Sequence, residues 1–92
     1  MTRLKVGVIG AGAWGRNHVR TVAGLADAEL AAVCDTDAKT RDKIARQYPG
    51  ALVTGDVAAL LERTDAVIVA SPAGTHAAVA RRCIEAGKPC LV

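Results

Sequence analysis

Residues 6–18 read VGVIGAGAWGRNH, and this stretch decides how the chain folds. It carries a G-x-G-x-x-G pattern at residues 10–15, directly after a β-rich apolar run at residues 4–9. Residues 13–24 then show the apolar spacing of a helix. The glycines are compatible with a tight surface turn, with the apolar core of a secretion signal, and with a backbone cradle for a phosphate.

The secretion-signal alternative is suggested by the basic start, MTRLK, which precedes the apolar run. Against it, glycines weaken the helix that the apolar part of a signal favours, and the following residues continue a strand-then-helix pattern. A membrane span needs roughly 18–20 consecutive apolar residues, and no run in the chain approaches that length. We therefore expect a cytoplasmic protein with no membrane partner.

Composition indicates a small globular domain. The chain has 92 residues, of which 51% are hydrophobic and 23% are charged. The net charge of +3 comes from scattered basic residues, and Trp14 and Tyr48 are the only aromatic residues, so we expect no nucleic-acid partner. Cys34, Cys83 and Cys90 form no C-x-x-C pair, which predicts buried thiols and neither a disulfide framework nor a metal site.

Strand-like and helix-like segments alternate along the whole chain. Asp37 and Asp56 are predicted to cap the second and third helices, and Gly87 to end the fourth in a left-handed conformation. This alternation predicts an α/β fold with an open parallel sheet, helices on both faces and strand order 3-2-1-4-5, interrupted within the fifth strand. The predicted strands are 4–9, 29–34, 51–54, 66–70 and the start of a fifth at 89–92, and the helices are 13–24, 38–47, 57–61 and 75–86.

Each glycine of the pattern has a separate expected role. Gly10 makes the sharp turn, Gly12 lets a pyrophosphate approach the backbone, and Gly15 lets the helix pack closely. The unpaired N–H groups of the helix's first turn, those of Ala13 and Trp14, point at the ligand. The Trp14 side chain is compatible with a wall of the cofactor pocket and with packing against a partner.

Asp35 ends the second strand, twenty residues after Gly15. A carboxylate there can accept hydrogen bonds from both hydroxyls of an adenosine ribose and repels a 2′-phosphate, which favours NAD over NADP. The alternative is that Asp35 satisfies local backbone amides. Together with the glycines, Asp35 predicts a dinucleotide-binding domain of the Rossmann type.

A second candidate segment is DAVIVASPAGTH at residues 65–76. It leaves the carboxyl end of a central strand, where ligands bind in open α/β sheets. Ser71 and Pro72 turn the chain across that edge, and Thr75 and His76 begin the next helix. Their spacing is equally compatible with cofactor contacts and with a helix cap followed by an ordinary first-turn residue.

These motifs together resemble the glucose–fructose oxidoreductase / inositol dehydrogenase / MocA family. The points of resemblance are GVIGAGAWG, AVCD, DAVIVASPAGTH and the closing AGKPCLV, and they span nearly the whole chain. The resemblance implies an NAD(P)-dependent oxidoreductase that acts on sugars, nucleotide sugars or cyclitols. It also implies a second, sheet-rich domain that recognises the substrate and carries the contacts of a homo-oligomer.

The resemblance also implies a role for each candidate residue. The nicotinamide side would be lined by Ser71, Pro72, Thr75 and His76. Asp35 would hold the adenosine ribose. The pyrophosphate would be held by Gly10, Gly12, Ala13, Trp14 and Gly15.

The family's Glu-Lys-Pro motif, whose lysine acts on the substrate hydroxyl, would follow the strand that begins at Pro89. The sequence ends at Val92 before it, so we assign no catalytic residue and expect residues 1–92 to be an incomplete dinucleotide-binding domain. The alternative function is a non-catalytic nucleotide-binding module that senses redox state or assembles partners.

Overall fold

The computed structural model of the protein describes residues 3–70 and 73–91, except for the side chains of residues 13, 14 and 73–76. Strands and helices alternate as predicted, and each predicted boundary lies within two residues of the observed one. In chain order the elements are β1 (Leu4–Ile9), α1 (Ala13–Ala23), β2 (Ala28–Cys34), α2 (Ala38–Gln47), β3 (Leu52–Thr54), α3 (Val57–Arg63), β4 (Ala66–Val69), α4 (Ala73–Glu85) and β5 (Cys90–Leu91).

The strands form one sheet in the order β3-β2-β1-β4-β5, and all neighbouring strands are parallel. This confirms the predicted order. Apolar side chains of α1 and α2 pack on one face, where Val19 and Ile44 are almost fully buried. Those of α3 and α4 pack on the other, where Leu60 and Cys83 are fully buried. Each face of the sheet therefore has its own core, as expected for parallel strands joined by crossover helices.

Gly7 allows α3 to pack directly against β1. A Cβ added at Gly7 would lie 2.7 Å from Thr64 Cγ2 and 2.8 Å from Leu60 Cδ2, closer than carbon atoms approach. Thr64 is itself buried, and its hydroxyl donates a hydrogen bond to the Leu60 carbonyl at 3.1 Å. The polar group at this contact is thus satisfied within α3, and the contact fixes the distance between helix and sheet.

The pairing of β1 with β2 contains an irregularity. Val6 pairs with Leu30, but Gly7 pairs with Ala32, so Ala31 is an extra residue of β2. Side chains alternate between the two faces of a regular strand, whereas an extra residue reverses that alternation. For this reason Leu30 and Val33, three positions apart, both belong to the core beneath α1 and α2.

The helix N-termini confirm two predicted caps and correct a third. Asp37 accepts from the Thr40 N–H and hydroxyl at 3.2 and 2.7 Å, and Asp56 accepts from the Ala58 N–H at 3.0 Å. Helix α4 begins at Ala73, so Thr75 lies within its first turn and is not its cap.

The cap at Asp37 predicts an acid-sensitive contribution to stability. Hydrogen bonds from the Thr40 hydroxyl and N–H hold the pKa of Asp37 below its ordinary value of 3.8. Because the folded pKa is lowered, the contribution is complete above pH 3.8 and disappears as the pH falls through the folded value. We expect Asp37→Ala to destabilise the protein at neutral pH. At about pH 2, we expect the variant and the wild type to have nearly the same urea midpoint of unfolding. If the urea midpoints of the variant and the wild type differ equally at both pH values, this prediction is wrong.

Candidate functional site

The residues that follow three of the strands, β1, β2 and β4, form one row along the carboxyl edge of the sheet. The Gly10 N–H donates to the Cys34 carbonyl at 2.7 Å, and the Ala70 N–H donates to the Ile9 carbonyl at 2.8 Å. The Asp35 N–H donates to the Thr54 carbonyl at 3.1 Å. The glycine loop, Asp35 and Ala70 therefore lie side by side at the edge where open α/β sheets bind ligands.

Gly10 and Gly15 act as a pair in shaping the glycine loop, which we define as residues 10–12. Gly10 has φ of 91°, a left-handed conformation that side chains disfavour, so the predicted sharp turn is confirmed. A Cβ on Gly15 would overlap the Gly10 carbonyl oxygen and would lie 3.7 Å from the Ala70 Cβ. The start of α1 therefore rests on the loop backbone itself.

Gly12 is different, because no described residue requires a glycine there. Its φ of −71° suits any residue, and a Cβ would meet no atom of the described residues within 4 Å. Gly12 is the N-cap of α1 and supplies no side-chain cap, whereas α2 and α3 are capped by Asp37 and Asp56. The described residues therefore supply no side-chain cap at the start of α1, and uncapped first-turn N–H groups suit a phosphate.

The Asp35 carboxylate lies beside this loop and contacts it directly. Its Oδ2 accepts from the Ala11 N–H at 2.7 Å, and its Oδ1 accepts from the Asp37 N–H at 2.8 Å. The alternative that Asp35 satisfies local backbone amides is therefore realised in the structure. Each carboxylate oxygen has two lone-pair directions, so both oxygens can accept a further hydrogen bond, as binding to a ribose would require.

A cavity of about 160 Å³ opens between α1 and α2 beside the glycine loop. Two of its lining residues, Arg16 and Lys43, are cations from facing helices, and their charge favours an anion. Neither residue is among the site residues predicted from the sequence. Arg16 follows the last glycine of the pattern and could have been found there, whereas Lys43 is brought near only by helix packing. The cavity is lined by Ala11, Gly12, Arg16, Thr40, Lys43, Ile44 and Gln47.

The cysteines do not contribute a reactive group to the loop. Cys34 and Cys83 are buried as predicted, and Cys90 is half-buried. Burial raises the pKa of the Cys34 thiol, and the neighbouring Asp35 charge raises it further. Burial also raises the pKa of Cys83. Both thiols therefore stay protonated at neutral pH and pack as small apolar groups.

Across residues 3–70 and 73–91, no three His, Cys, Asp or Glu side chains come close enough together to hold a metal ion. None of the helices described in those ranges has the length and apolar character needed to cross a membrane.

The remaining predicted site residues are only partly described. Ser71 and Pro72 lie outside the described residues, as do the side chains of Ala13, Trp14, Thr75 and His76. The backbones of these last four lie in the first turns of α1 and α4. Because α4 follows β4, the structure brings both first turns to the same edge of the sheet.

The chain is similar in sequence to known dehydrogenases. It is 40% identical to inositol 2-dehydrogenase 1 of Saccharopolyspora erythraea over 96% of this chain and 27% of that protein. It is 36% identical to UDP-N-acetylglucosamine 3-dehydrogenase of Acidithiobacillus ferrooxidans, over 100% of this chain and 28% of that protein. The chain therefore spans little more than a quarter of the length of these relatives.

A solved structure shows the same fold. GenD2 from gentamicin A biosynthesis, solved in complex with NAD, superposes with a TM-score of 0.92 at 33% identity. The match covers 100% of this chain and 27% of GenD2. The family model described as "Oxidoreductase family, NAD-binding Rossmann fold" matches residues 4–92. With its parallel sheet, its glycine loop and this match over nearly its whole length, the chain belongs to the Gfo/Idh/MocA oxidoreductase family.

Proposed function

We propose that this chain is the NAD-binding part of a dehydrogenase that transfers a hydride between nicotinamide and a carbinol carbon of a sugar, nucleotide sugar or cyclitol. The observation that carries the proposal is the uncapped start of α1 at Gly12, beside the Asp35 carboxylate. Backbone N–H donors suited to a phosphate and a carboxylate acceptor suited to ribose hydroxyls are next to each other there, as one dinucleotide requires. The named dehydrogenases among the relatives favour this function over a redox-sensing module.

The chain's own residues bind and orient the cofactor. The N–H groups of Ala13 and Trp14 hold the pyrophosphate over Gly12, with Gly10 and Gly15 fixing the loop beneath it. Arg16 of α1 and Lys43 of α2 add positive charge in the cavity beside the loop. When bound, nicotinamide supplies the hydride chemistry, and the protein supplies position and a proton acceptor.

The nicotinamide side of the site is proposed to be lined by Ser71, Pro72, Thr75 and His76. Their support is the position of α4, whose first turn follows β4 at the carboxyl edge of the sheet. We propose no catalytic residue in residues 1–92. The proton acceptor for the substrate hydroxyl is proposed to lie outside residues 1–92. The substrate contacts and the homo-oligomer contacts are proposed to lie in a second domain, and the protein is proposed to be cytoplasmic.

The choice of cofactor gives the first test. The Asp35 carboxylate favours the two ribose hydroxyls of NAD and repels the 2′-phosphate of NADP, whereas Arg16 and Lys43 attract that phosphate from the neighbouring cavity. Asp35 is the group proposed to bind the ribose hydroxyls themselves, so we take its repulsion of a 2′-phosphate to outweigh the attraction of the two cations. We expect isothermal titration calorimetry to show NAD binding at least about tenfold more tightly than NADP, a difference of about 1.4 kcal/mol.

Three results would each contradict a part of this proposal. If neither NAD nor NADP binds the chain at millimolar concentration, the dinucleotide site itself is refuted. If NADP binds more tightly than NAD, the site stands and the role of Asp35 in selectivity is refuted. Turnover of a sugar or cyclitol by the chain alone would refute the proposal that residues 1–92 contain no proton acceptor.

A further inference from the structure

The Asp35 carboxylate connects two loops that meet at the proposed site. Its Oδ2 holds the Ala11 N–H of the glycine loop at 2.7 Å, and its Oδ1 holds the Asp37 N–H at 2.8 Å. Hydrogen bonds from an N–H to a carboxylate are about twice as strong as neutral ones. One side chain therefore fastens the turn after β1 to the turn after β2.

The hydrogen bond to Ala11 constrains the most flexible part of the backbone in this loop. Ala11 lies between Gly10 and Gly12, and glycine loses more conformational freedom on ordering than any other residue. The hydrogen bond fixes the direction of the Ala11 N–H, and therefore the peptide plane that joins Gly10 to Ala11. The Ala11 side chain is also buried in the core beneath α1, so the loop is held at both its backbone and its side chain.

Asp35 is itself held firmly enough to serve as an anchor. The Arg41 guanidinium donates to the Asp35 carbonyl at 2.8 Å, and the Asp35 N–H donates to Thr54 at 3.1 Å. These bonds attach Asp35 to α2 and β3, which belong to the packed body of the domain. Because Asp35 is held in place by α2 and β3, its carboxylate holds the glycine loop in a fixed position relative to the sheet.

We propose that Asp35 is a positioning residue for the glycine loop in addition to its proposed contact with the ribose. Its carboxylate then strengthens the binding of the pyrophosphate, a group it does not touch, by holding the loop in the shape that receives it. This inference rests on the proposed binding of NAD. It also predicts that Asp35 affects the affinity of ligands that have no ribose hydroxyls to offer.

The test separates the two roles by changing the ligand. NAD and an NAD analogue lacking the 2′- and 3′-hydroxyls of the adenosine ribose are titrated against wild type and Asp35→Asn. Asparagine has the same shape but presents an NH₂ group to one of the two backbone N–H donors, so one contact is lost. We expect Asp35→Asn to lower the affinity for the analogue at least about tenfold, because a hydrogen bond to a charged group contributes that much or more to the free energy.

Amide hydrogen exchange of Ala11, measured by NMR without ligand, gives a readout independent of binding. We expect faster exchange of this amide in Asp35→Asn than in wild type. Asp37→Asn is the matched control, since it removes the same charge two residues away and asparagine remains a good helix cap. The control should change neither the Ala11 exchange rate nor the affinity for the analogue.

Equal affinity of the analogue for wild type and Asp35→Asn, with unchanged Ala11 exchange, would overturn the positioning role while leaving NAD binding intact. Failure of wild type to bind NAD would overturn the proposed function, and the exchange rate would still test the contact to Ala11. If Asp35→Asn does not fold, Asp35→Glu replaces it. That variant keeps the charge but moves the carboxylate by one methylene, and we expect the same loss for the analogue and faster Ala11 exchange.

Discussion

Gly15→Ala is expected to lower the free energy of unfolding by about 3 kcal/mol or more, at or above the upper end for overpacking a folded protein. The added Cβ would overlap the Gly10 carbonyl oxygen, and its carbonyl carbon would lie only 2.6 Å away. These are backbone atoms of a turn held by the Gly10 to Cys34 hydrogen bond, so they cannot move aside as a flexible side chain would. A loss of this size is a large share of the 5–15 kcal/mol that stabilises a typical domain. Urea unfolding followed by far-UV circular dichroism measures it.

Gly24→Ala is the matched control, because Gly24 ends the same helix whose start contains Gly15. A Cβ there would lie 3.6 Å from its nearest neighbours, the Arg20 and Thr21 carbonyl oxygens, which is ordinary contact. Its φ of −88° also accepts alanine. We expect a change in stability within about 0.5 kcal/mol, as for most surface substitutions. A similar small change for Gly15→Ala would show that α1 does not rest on the loop as described.

Gly12→Asp is expected to abolish NAD binding without loss of stability. Aspartate is among the best N-cap residues, so its carboxylate should satisfy the first-turn N–H groups of α1 and complement the helix dipole. It would then occupy the position proposed for the pyrophosphate and repel its charge. We expect the dissociation constant for NAD to rise at least about 100-fold, or about 2.8 kcal/mol, by calorimetry.

Gly50→Asp provides the control for Gly12→Asp. A Cβ at Gly50 also meets nothing within 4 Å, and the residue lies in the turn between α2 and β3. The same charge is thereby added to the same protein outside the lining of the cavity beside the glycine loop. NAD affinity should stay within about twofold of wild type. Unchanged NAD affinity in Gly12→Asp would place the pyrophosphate elsewhere.

Gly15→Ala and Gly12→Asp are expected to have different effects, although both replace a glycine of the same sequence pattern. The sequence assigns a turn, a phosphate approach and a close packing contact to the three glycines. Only the tertiary structure shows that the fold requires Gly15, whereas no described residue requires a glycine at position 12. Substitution of Gly15 should therefore lower stability, and substitution of Gly12 should lower the affinity for NAD.

Helix faces were predicted less well than helix positions. In the predicted helix 75–86, Val79 and Cys83 are four positions apart and have Ala80 and Ile84 beside them, a spacing that predicts a core-facing stripe. Cys83 is fully buried and Val79 packs against the same core, but Ile84 is 69% exposed. Apolar periodicity gives the direction of a stripe, whereas its width depends on how much of the helix the sheet covers.

The sequence by itself determined the alternation of strands and helices, the strand order, the turn at Gly10 and the caps at Asp37 and Asp56. These depend on periodicity, on the handedness of parallel crossovers and on the chemistry of single residues with near neighbours in the chain. The tertiary structure alone decided the extra residue at Ala31 and the contact of Asp35 with the Ala11 N–H. Both require segments more than twenty residues apart to meet in one register, and the energy of such a meeting comes from packing rather than from local preference.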